Sequence, residues 1–600
     1  MENGTKRRYS AWTAIAIAFV AICLTICGIM AIIEIAIQDK VQDDPAAFDA
    51  YMDEMFKELV AQNTINLHYT LAYPENYGIT EYPITLGDVS VENLRESQED
   101  LEEMRKVIQS FYAADLSTEQ QLTYDILVDY IETEMSGAYL GLYDELLEPT
   151  SGYQAEFPII LAEYTFRTEQ DIEDYLALLS EMDEFYAQII EYEEKKAEEG
   201  LFMSDNAADM IIQQCEEFIE DPENNYMIEV FNDKIDSFEG LSREEREEYK
   251  ERHDEIITTE VVDAYQTLID GVSALKGSGT NELGLCYYGS GKEYYEYLVR
   301  SKVGTDDSIK RMQKRIERYI SDFMQDLYDT ALENPQLYEE IVNFSFPDME
   351  PEEGLQDLLN KMEEDFPKPP QVDFTVKYVH PSMQEYLSPA FYLTTPIDDI
   401  KSNSIYINEK YTKAGATGKG EIYTTLAHEG YPGHLYQNAY TVSCDLPLIR
   451  NLFSYQGYTE GWATYVEFEY GYQYAAEGQS EAAVDLCARN SAVSLALYAY
   501  IDLGIHYDGW DKGDVEEVLS RFMDVDQETL DAVFEAVLYD PAGYLSYFVG
   551  YLEFLELRDT AMEELGEDFD IKEFHEFLLR TGPAPFYIIE DYMEIWMEEQ

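Results

Sequence analysis

The chain has 600 residues, of which 46% are hydrophobic and 27% are charged, so it can form one large core or two ordinary ones. This balance excludes a disordered chain. Acidic residues outnumber basic ones by 123 to 39, and the formal net charge of -84 excludes nucleic acid as a favourable partner because such a surface repels phosphate. The acidic surface is interpreted as a solvated coat, with steering of cationic substrates as the alternative.

The first predicted element is a membrane-spanning helix at residues 11–33. This stretch contains no charged side chain and, at about 1.5 Å per residue, is long enough for a hydrocarbon layer of about 30 Å. Basic residues lie in the tail at residues 1–10 and acidic residues follow the stretch, so we expect a cytoplasmic tail and an extracytoplasmic body. Residues 34–47 are interpreted as a polar linker. The predicted localisation is therefore the cell membrane, with a single membrane pass.

Two alternatives to an uncleaved anchor remain open. A cleaved signal peptide would carry a shorter apolar region and a small-x-small cleavage site. A lipid-modified Cys27 is the second, because residues 24–28 resemble a lipobox, although Ile26 is bulky where a small residue is preferred.

The body is predicted to be mainly α-helical, with an N-terminal helical part at residues 48–370 and a catalytic part at residues 371–600. The break between them is Phe366 to Pro370, where three prolines prevent a continuous helix. Long amphipathic helices are expected in the N-terminal part at residues 100–111, 118–135, 169–200, 204–220 and 242–275.

A small β-sheet is expected immediately before the chemical motif. Residues 372–379 alternate and are rich in β-forming side chains, and residues 404–408 are a second candidate strand. Helical patterning resumes at Glu421 and continues nearly to the end. The predicted fold class is therefore mainly α, with a small sheet beside the helix that carries the motif and one N-terminal transmembrane helix.

The heptapeptide H-E-G-Y-P-G-H at residues 428–434 is the strongest chemical signal. Zinc favours imidazole nitrogen and carboxylate oxygen as ligands. A glutamate next to a zinc-bound histidine can accept a proton from water. The motif therefore predicts His428 and His434 as metal ligands and Glu429 as the base.

The spacing of the two histidines is longer than in H-E-x-x-H and requires a distorted helix. On an ideal helix the two side chains would point about 120° apart. Pro432 cannot donate to the carbonyl of His428, and Gly433 tolerates an irregular backbone. We expect a local bulge that brings His434 onto the face of His428. The alternative is two surface histidines beside a helix break.

Glu460 is the predicted third ligand, since a catalytic zinc has three protein ligands and an open position. It lies beyond the loop that follows the motif, on a predicted helix that can pack against the helix carrying the motif. Glu467 lies two turns further on the same face, where it could hydrogen-bond a ligand histidine. The predicted cofactor is one Zn2+ ion per chain.

The heptapeptide resembles the H-E-x-x-P-G-H motif of a large bacterial family labelled a domain of unknown function, which is grouped with the gluzincin-like metallopeptidases. The likeness covers roughly Phe48 to Met597. Other segments resemble motifs of that family in the same order, namely residues 404–408, 460–463, 502–506 with 509–510, 541–550, and 574–575 with 582–585.

The resemblance implies a helical, cleft-forming gluzincin-like peptidase fold, with zinc on His428, His434 and Glu460 and with Glu429 as general base. This arrangement would activate water against a peptide carbonyl.

The resemblance also implies roles for residues outside the motif. His506 and Tyr547 match positions that would stabilise the oxyanion. Tyr406 and Asn408 would bind substrate on an edge strand, to which a peptide adds by main-chain hydrogen bonds. Structural roles are the alternative for all four residues.

The leading functional hypothesis is a membrane-anchored, extracytoplasmic zinc metallopeptidase that hydrolyses short peptides, because a helical body that walls off a deep cleft excludes folded proteins. One alternative is a non-catalytic protein that binds peptides at the cell surface. Another is a zinc amidase that acts on cell-wall fragments. The sequence does not indicate an oligomeric state.

Overall fold

The computed structural model describes residues 45–379, 384, 388–412, 422–476 and 478–600. The predicted cytoplasmic tail, the predicted membrane helix at residues 11–33 and nearly all of the linker lie outside these residues. Among the helices in the described ranges, none combines the length and the apolar character that a bilayer crossing requires.

Helices dominate the first part of the described chain. Capping boxes begin three of them at Ser117, Thr168 and Ser242, which explains why the sequence pattern located these helices well. The helices are α1 (Pro45–Val60), α2 (Thr64–Thr70), α3 (Val91–Ile108), α4 (Thr118–Gly137), α5 (Tyr153–Glu163), α6 (Glu169–Glu199), α7 (Asp205–Ile219), α8 (Tyr226–Ser237), α9 (Arg243–Ile256), α10 (Val262–Leu275), α11 (Gly291–Leu298), α12 (Ile309–Glu333), α13 (Pro335–Val342) and α14 (Pro351–Lys361).

The second part contains a small sheet followed by helices. The strands are β1 (Asp373–Tyr378), β2 (Ala390–Leu393) and β3 (Ser402–Ile407). The helices are α15 (Glu409–Thr412), α16 (Ile422–Glu429), α17 (His434–Ser443), α18 (Gln456–Val466), α19 (Tyr472–Ala475), α20 (Glu481–Leu503), α21 (Lys512–Leu519), α22 (Gln527–Leu538), α23 (Gly543–Leu565), α24 (Ile571–Thr581) and α25 (Phe586–Glu598). The mainly helical fold with a small sheet is confirmed.

The sheet has the strand order β1-β3-β2, in which β3 pairs in parallel with β1 and antiparallel with β2. The two predicted strands are present as β1 and β3, whereas β2 was not predicted. Because β3 is the central strand, the expectation that Tyr406 lies on an edge strand is wrong. The strand that lies beside the motif helix α16 is β2, one of the two outer strands.

Two large hydrophobic cores are present in the described residues, together with a small cluster of Val379, Phe391 and Tyr406 at the sheet. The larger core joins Phe48 of α1 to Trp462 of α18 and Phe554 of α23. The smaller core lies among helices α5 to α10 and contains Tyr186 and Tyr265. The larger core thus takes side chains from both sides of the boundary predicted at residue 370, which does not separate one core from the other.

The smaller core is joined to the rest of the protein at both ends of α5. At the C-terminal end of α5, the hydroxyl of Tyr406 in β3 donates to the carboxylate of Glu163. Just before its N-terminal end, Thr150 Oγ1 donates to the carbonyl of Tyr539 over 3.1 Å. Asn206 Nδ2 reaches the Tyr539 hydroxyl over 3.0 Å. Helix α5 therefore runs from the sheet to the turn that precedes α23.

Candidate metal centre

The helix that carries the motif is interrupted by a short loop. Helix α16 ends at Glu429 and α17 begins at His434, with a cis peptide bond before Pro432 in the loop between them. The N–H of Tyr436 donates to the carbonyl of Gly430 over 3.2 Å, a bond that spans two residues more than a regular helical one, so the interruption absorbs two residues as the sequence predicts. A Cβ atom at Gly433 would lie 1.6 Å from the His428 carbonyl oxygen, so only glycine fits where the loop passes back over the helix end. The Trp462 indole holds this loop by donating to the Pro432 carbonyl over 3.0 Å.

Helix α18 carries Glu460 and crosses α23 with almost no side chain between the two backbones. A Cβ atom at Gly461 would lie 2.6 Å from the backbone of Gly550, and one at Gly550 would lie 2.3 Å from the Gly457 carbonyl oxygen. Glycine at positions 461 and 550 permits the close crossing. The crossing brings Glu460 of α18 next to Tyr547 of α23.

These elements bring His428, His434 and Glu460 together. The Nε2 atoms of His428 and His434 lie 3.5 Å and 3.4 Å from the same Glu460 oxygen. Ligand atoms about 2.1 Å from a tetrahedral ion lie about 3.4 Å apart, so the distances suit a single small cation. Among the described residues, this is the only cluster of three metal-ligating side chains within 4.8 Å of one another.

Two polar atoms of the cluster lack a hydrogen bond. His428 Nε2 and Glu460 Oε2 are buried and have no hydrogen-bond partner among the described residues. Leaving such atoms unpaired is costly in a protein interior. A metal ion bound between them would satisfy both, and the His434 side chain, which is 12% exposed, leaves one side of the cluster open.

The surroundings of the cluster favour positive charge at this point. Burial would raise the pKa of Glu460, but His434 and His428 outweigh it and lower that pKa to about 2. Burial would lower the pKa of His428, but Glu460 and Glu467 outweigh it and raise that pKa well above its ordinary value. Anionic carboxylates thus surround the imidazole, as a cation site requires.

Glu467 lies on the far side of the His428 ring. Its Oε2 atom is 3.1 Å from His428 Nδ1, so it can hold the ring in the orientation that points Nε2 at Glu460. The residue begins a π-helical segment, Glu467–Gly471, that continues α18. The wider turn of a π-helix is common at functional sites because it changes the direction of side chains within a helix.

Glu429 is buried beside the cluster and is held by the sheet. The backbone N–H of Tyr392 in β2 donates to Glu429 Oε2 over 2.9 Å. Burial raises the pKa of Glu429 against the opposing effect of His428 and His434. Sequence reasoning missed Tyr392. The short aromatic run Ala390–Leu393 was the available signal, but four residues show too little alternation to predict a strand.

Tyr547 lies against the other side of the cluster. Its ring is nearly parallel to that of His428, at 17° and with centroids 6.4 Å apart. Burial, followed by the charge of Glu460, holds the pKa of the Tyr547 hydroxyl well above its ordinary value. The hydroxyl therefore keeps its proton at neutral pH and can act as a hydrogen-bond donor.

The expectation that His506 stabilises an oxyanion is wrong. The N–H of Leu285 donates to His506 Nδ1 over 3.3 Å, and His506 Nε2 lies 3.0 Å from the carbonyl of Val537. Both ring nitrogens are therefore occupied by backbone groups. Burial lowers the pKa of His506 to about 4, so the ring is neutral, with its proton on Nε2.

The expected substrate-binding roles of Tyr406 and Asn408 are also contradicted. The Tyr406 ring is stacked on Phe391 at 4.8 Å, and its hydroxyl is bonded to Glu163. Asn408 is fully buried, and its side-chain amide donates to the carbonyl of Gln384 over 2.9 Å. Both side chains hold the sheet and its loops together instead of facing a substrate.

The fold is mainly helical with a small sheet, and it holds a buried cluster of two histidines and one glutamate. These features define the class of this protein as a helical protein with a candidate metal centre. The chain belongs to the family described as "Bacterial protein of unknown function (DUF885)", whose model matches residues 75–593. No curated protein matches the chain.

Two solved structures share the fold. A crystal structure from Colwellia psychrerythraea, described as a candidate lipoprotein, has a TM-score of 0.81 at 19% identity and covers 92% of this chain and 100% of its own. A candidate lipoprotein of unknown function from Shewanella oneidensis has a TM-score of 0.62 at 16% identity, with 91% and 99% of the two chains covered.

Proposed function

We propose that the protein is a zinc-dependent peptidase of the gluzincin-like type that hydrolyses short peptides. The observation that carries this proposal is the cluster of His428, His434 and Glu460, in which the buried His428 Nε2 and Glu460 Oε2 atoms have no hydrogen-bond partner among the described residues. The H-E-x-x-P-G-H spacing and the base-like Glu429 beside the cluster support it.

The residues present fit a zinc ion. Two imidazole nitrogens and one carboxylate oxygen are a common ligand set for a catalytic zinc. When bound, zinc supplies a Lewis acid that acidifies water and polarises a carbonyl group. His428 and His434 would hold it from α16 and α17, and Glu460 would hold it from α18. Glu467 would fix the ring of His428.

Glu429 and Tyr547 would act on the substrate. Because Glu429 Oε2 accepts the hydrogen bond from Tyr392, the other carboxylate oxygen is left to take a proton from the attacking water and to deliver it to the leaving amine. The raised pKa of Glu429 suits this exchange. The protonated Tyr547 hydroxyl would donate a hydrogen bond to the carbonyl oxygen as negative charge develops on it.

The preference for short peptides follows from the position of α5. This helix is joined to the sheet through Glu163 and to the turn before α23 through Thr150. The sheet supplies the N–H that holds Glu429, and α23 supplies Tyr547, so α5 connects the two elements that carry these groups. We infer that a helix in this position restricts access to the site and favours short peptides over folded proteins.

We also propose an extracytoplasmic location at the membrane. The uncharged run at residues 11–33 supports an anchor, and the two structural relatives described as candidate lipoproteins are consistent with tethering.

The test is hydrolysis of a defined pool of short peptides by the purified full chain, with metal content measured on the same sample. We expect one zinc per chain, loss of hydrolysis with a chelator and recovery on adding zinc. His434→Ala and Glu460→Gln should lose both zinc and activity, whereas Glu564→Gln, an exposed glutamate on α23, should keep both. Activity that survives metal removal would refute the proposal.

Peptide binding without turnover by the wild-type protein is a different result. It would favour a non-catalytic peptide-binding protein. Release of products only from cell-wall fragments would favour an amidase.

A further inference from the structure

Asp502 lies at the end of α20, and His506 lies one turn later in the π-helical segment that follows it. Their side chains bond to the two ends of a turn that is distant in sequence. His506 Nε2 donates to the carbonyl of Val537, near the end of α22, over 3.0 Å. Asp502 Oδ1 accepts from the backbone N–H of Ala542, immediately before α23, over 3.2 Å. The two side chains thus fix the turn at residues 539–542 from both sides.

The turn has a backbone conformation that its own residues do not favour. Ala542 has φ of 65°, a left-handed conformation that side chains other than glycine rarely adopt. The carboxylate of Asp540 is folded over Gly543, where a Cβ atom would lie 1.9 Å from Asp540 Oδ2. Such a conformation persists only when its surroundings impose it, and the hydrogen bond from Ala542 to Asp502 is one such constraint.

The two side chains that fix the turn are themselves held in place by hydrogen bonds. Asp502 is fully buried, and the hydroxyl of Tyr295 in α11 donates to the same Oδ1 atom over 2.5 Å. His506 is fixed on its other nitrogen by the N–H of Leu285. The π-helical segment Gly504–Asp508, which continues α20, turns His506 toward α22.

The direction in which α23 leaves this turn determines where Tyr547 lies. Tyr547 is in the first two turns of α23, and its ring lies against His428. A change in the backbone of Ala542 would rotate or shift the beginning of the helix, because a helix is rigid over this length. The tyrosine hydroxyl would then move relative to Glu460.

We propose that Asp502 and His506 are positioning residues that hold the start of α23 so that the Tyr547 hydroxyl reaches the reacting carbonyl. This inference rests on the proposed function for the role of Tyr547. It assigns to His506 an indirect role, through the turn, instead of contact with the oxyanion.

Two replacements with the same branching at Asp502 separate positioning from simple packing. Asp502→Asn keeps an oxygen that can accept from Ala542 and Tyr295, whereas Asp502→Leu keeps the branched shape and replaces both oxygens with larger methyl groups that cannot accept. Burial raises the pKa of Asp502 to about 8, so the native side chain is neutral at pH 7 and asparagine is a faithful substitute. We expect Asp502→Asn to retain most of the activity, and Asp502→Leu to lower kcat about 10- to 100-fold with little change in KM or zinc content.

A double-mutant cycle with Tyr547→Phe provides the decisive readout. If Asp502 acts through Tyr547, Asp502→Leu should have almost no further effect on kcat once the hydroxyl has been removed. If Asp502→Leu lowers kcat by the same factor with and without the Tyr547 hydroxyl, the inference is overturned. Equal losses of activity for Asp502→Asn and Asp502→Leu would also overturn it.

Hydrogen exchange of the full chain gives a readout that does not require activity. Asp502→Leu should accelerate exchange in the peptide that contains residues 539–547, and Asp502→Asn should not. If the wild-type protein has no hydrolytic activity, the proposed function fails, while this exchange result still tests the constraint on the turn. Unchanged exchange in Asp502→Leu would refute the constraint.

A suppressor covers the case in which Asp502→Leu folds poorly. Glycine adopts the left-handed conformation without strain, so Asp502→Leu with Ala542→Gly should recover folding and part of kcat. The inference is supported if folding and kcat recover when Ala542→Gly is added to Asp502→Leu, but not when Gly289→Ala is added. Gly289 is the control because the nearest atom would lie 3.9 Å from a new Cβ atom there. Absence of recovery with Ala542→Gly contradicts the inference.

Discussion

Glu429 and Glu460 are both buried at the candidate metal centre, yet their surroundings shift their pKa values in opposite directions. Burial raises the pKa of Glu429, whereas for Glu460 the two histidines outweigh burial and lower the pKa to about 2. A carboxylate that stays ionised suits a metal ligand, and one that exchanges protons suits a general base. The roles of the two glutamates are therefore separated by their environments.

Glu429→Gln should abolish catalysis and leave the metal centre intact. The amide oxygen can still accept from the N–H of Tyr392, but glutamine cannot accept the proton of water. We expect kcat to fall about 100- to 10,000-fold, with zinc content equal to that of the wild type. Parallel loss of zinc and activity would instead show that Glu429 maintains the structure of the site.

Asp502 should make stability depend on pH. Its folded-state pKa of about 8 lies above the ordinary value of 3.8, so the folded protein retains a proton that the unfolded chain releases. Its contribution to stability is fully present below about pH 4 and is lost as pH rises through about 8. Between these limits the contribution falls by about 1.4 kcal/mol per pH unit.

Urea unfolding of the wild type and Asp502→Asn at about pH 5 and about pH 7 tests this expectation. The variant should lose less stability than the wild type as pH rises, because asparagine does not titrate. Asp524→Asn, at an exposed position, should follow the wild type. Identical pH slopes for the wild type and Asp502→Asn would contradict the raised pKa.

The sequence could predict the residues of the cluster but not all of their neighbours. His428, His434 and Glu460 were predicted from ligand chemistry and motif order, and the structure brings them together. His506 was misinterpreted because a histidine near a motif carries no sign of what its two ring nitrogens contact. The backbone N–H of Tyr392 could not be predicted, since any residue of β2 supplies the same group.

At the scale of elements, the crossing of α18 and α23 controls the site because it brings Glu460 and Tyr547 together without intervening side chains. A Cβ atom at Gly461 would meet the backbone of Gly550, which cannot move aside as a flexible side chain can. The two helices would have to separate, and Glu460 would move away from the histidines.

Gly461→Ala should therefore lower both stability and zinc affinity. Overpacking of this kind costs about 1–3 kcal/mol, which is measurable by urea unfolding. Zinc affinity should fall in the same variant. Gly289→Ala is the matched control because its nearest neighbour would lie 3.9 Å from the new Cβ atom. Unchanged zinc affinity in Gly461→Ala would show that the crossing does not determine the ligand geometry.

Most helices were predictable because their signals are local. The capping residues Ser117, Thr168 and Ser242 begin helices close to where the sequence pattern indicated. The order of the strands was not predictable, because β2 is short and its pairing places β3 in the centre only through contacts distant in sequence. The interruption between α16 and α17 was predictable, because Pro432 cannot continue a regular helix and Gly433 tolerates an irregular backbone.

At the scale of the whole molecule, the first helix belongs to the same core as the metal centre. Helix α1 contacts the segment Leu448–Leu452, which follows α17. Its buried side chains are Phe48, Tyr51, Met52, Met55, Phe56, Leu59 and Val60. The part at residues 371–600 therefore lacks a large portion of its apolar partners when it is isolated from the rest of the chain.

We expect residues 371–600 expressed alone to lack a cooperative fold. Circular dichroism should show no sharp thermal transition, and zinc should not bind with the affinity of the full chain, because the exposed apolar surface would not be covered. The full chain measured in the same buffer is the control. A sharp transition in the fragment would show that residues 371–600 fold independently of the rest of the chain.

The two cores also differ in when they can form during synthesis. The smaller core takes its buried side chains from residues between Ile65 and Val272, so all of these buried side chains are translated before the C-terminal half of the chain. The larger core joins Phe48 to residues as distant as Met593. Helix α1 therefore cannot complete its contacts in this core until the last of these residues are translated. We expect the side chains of the candidate metal centre to reach their final geometry only after translation of the chain is nearly complete.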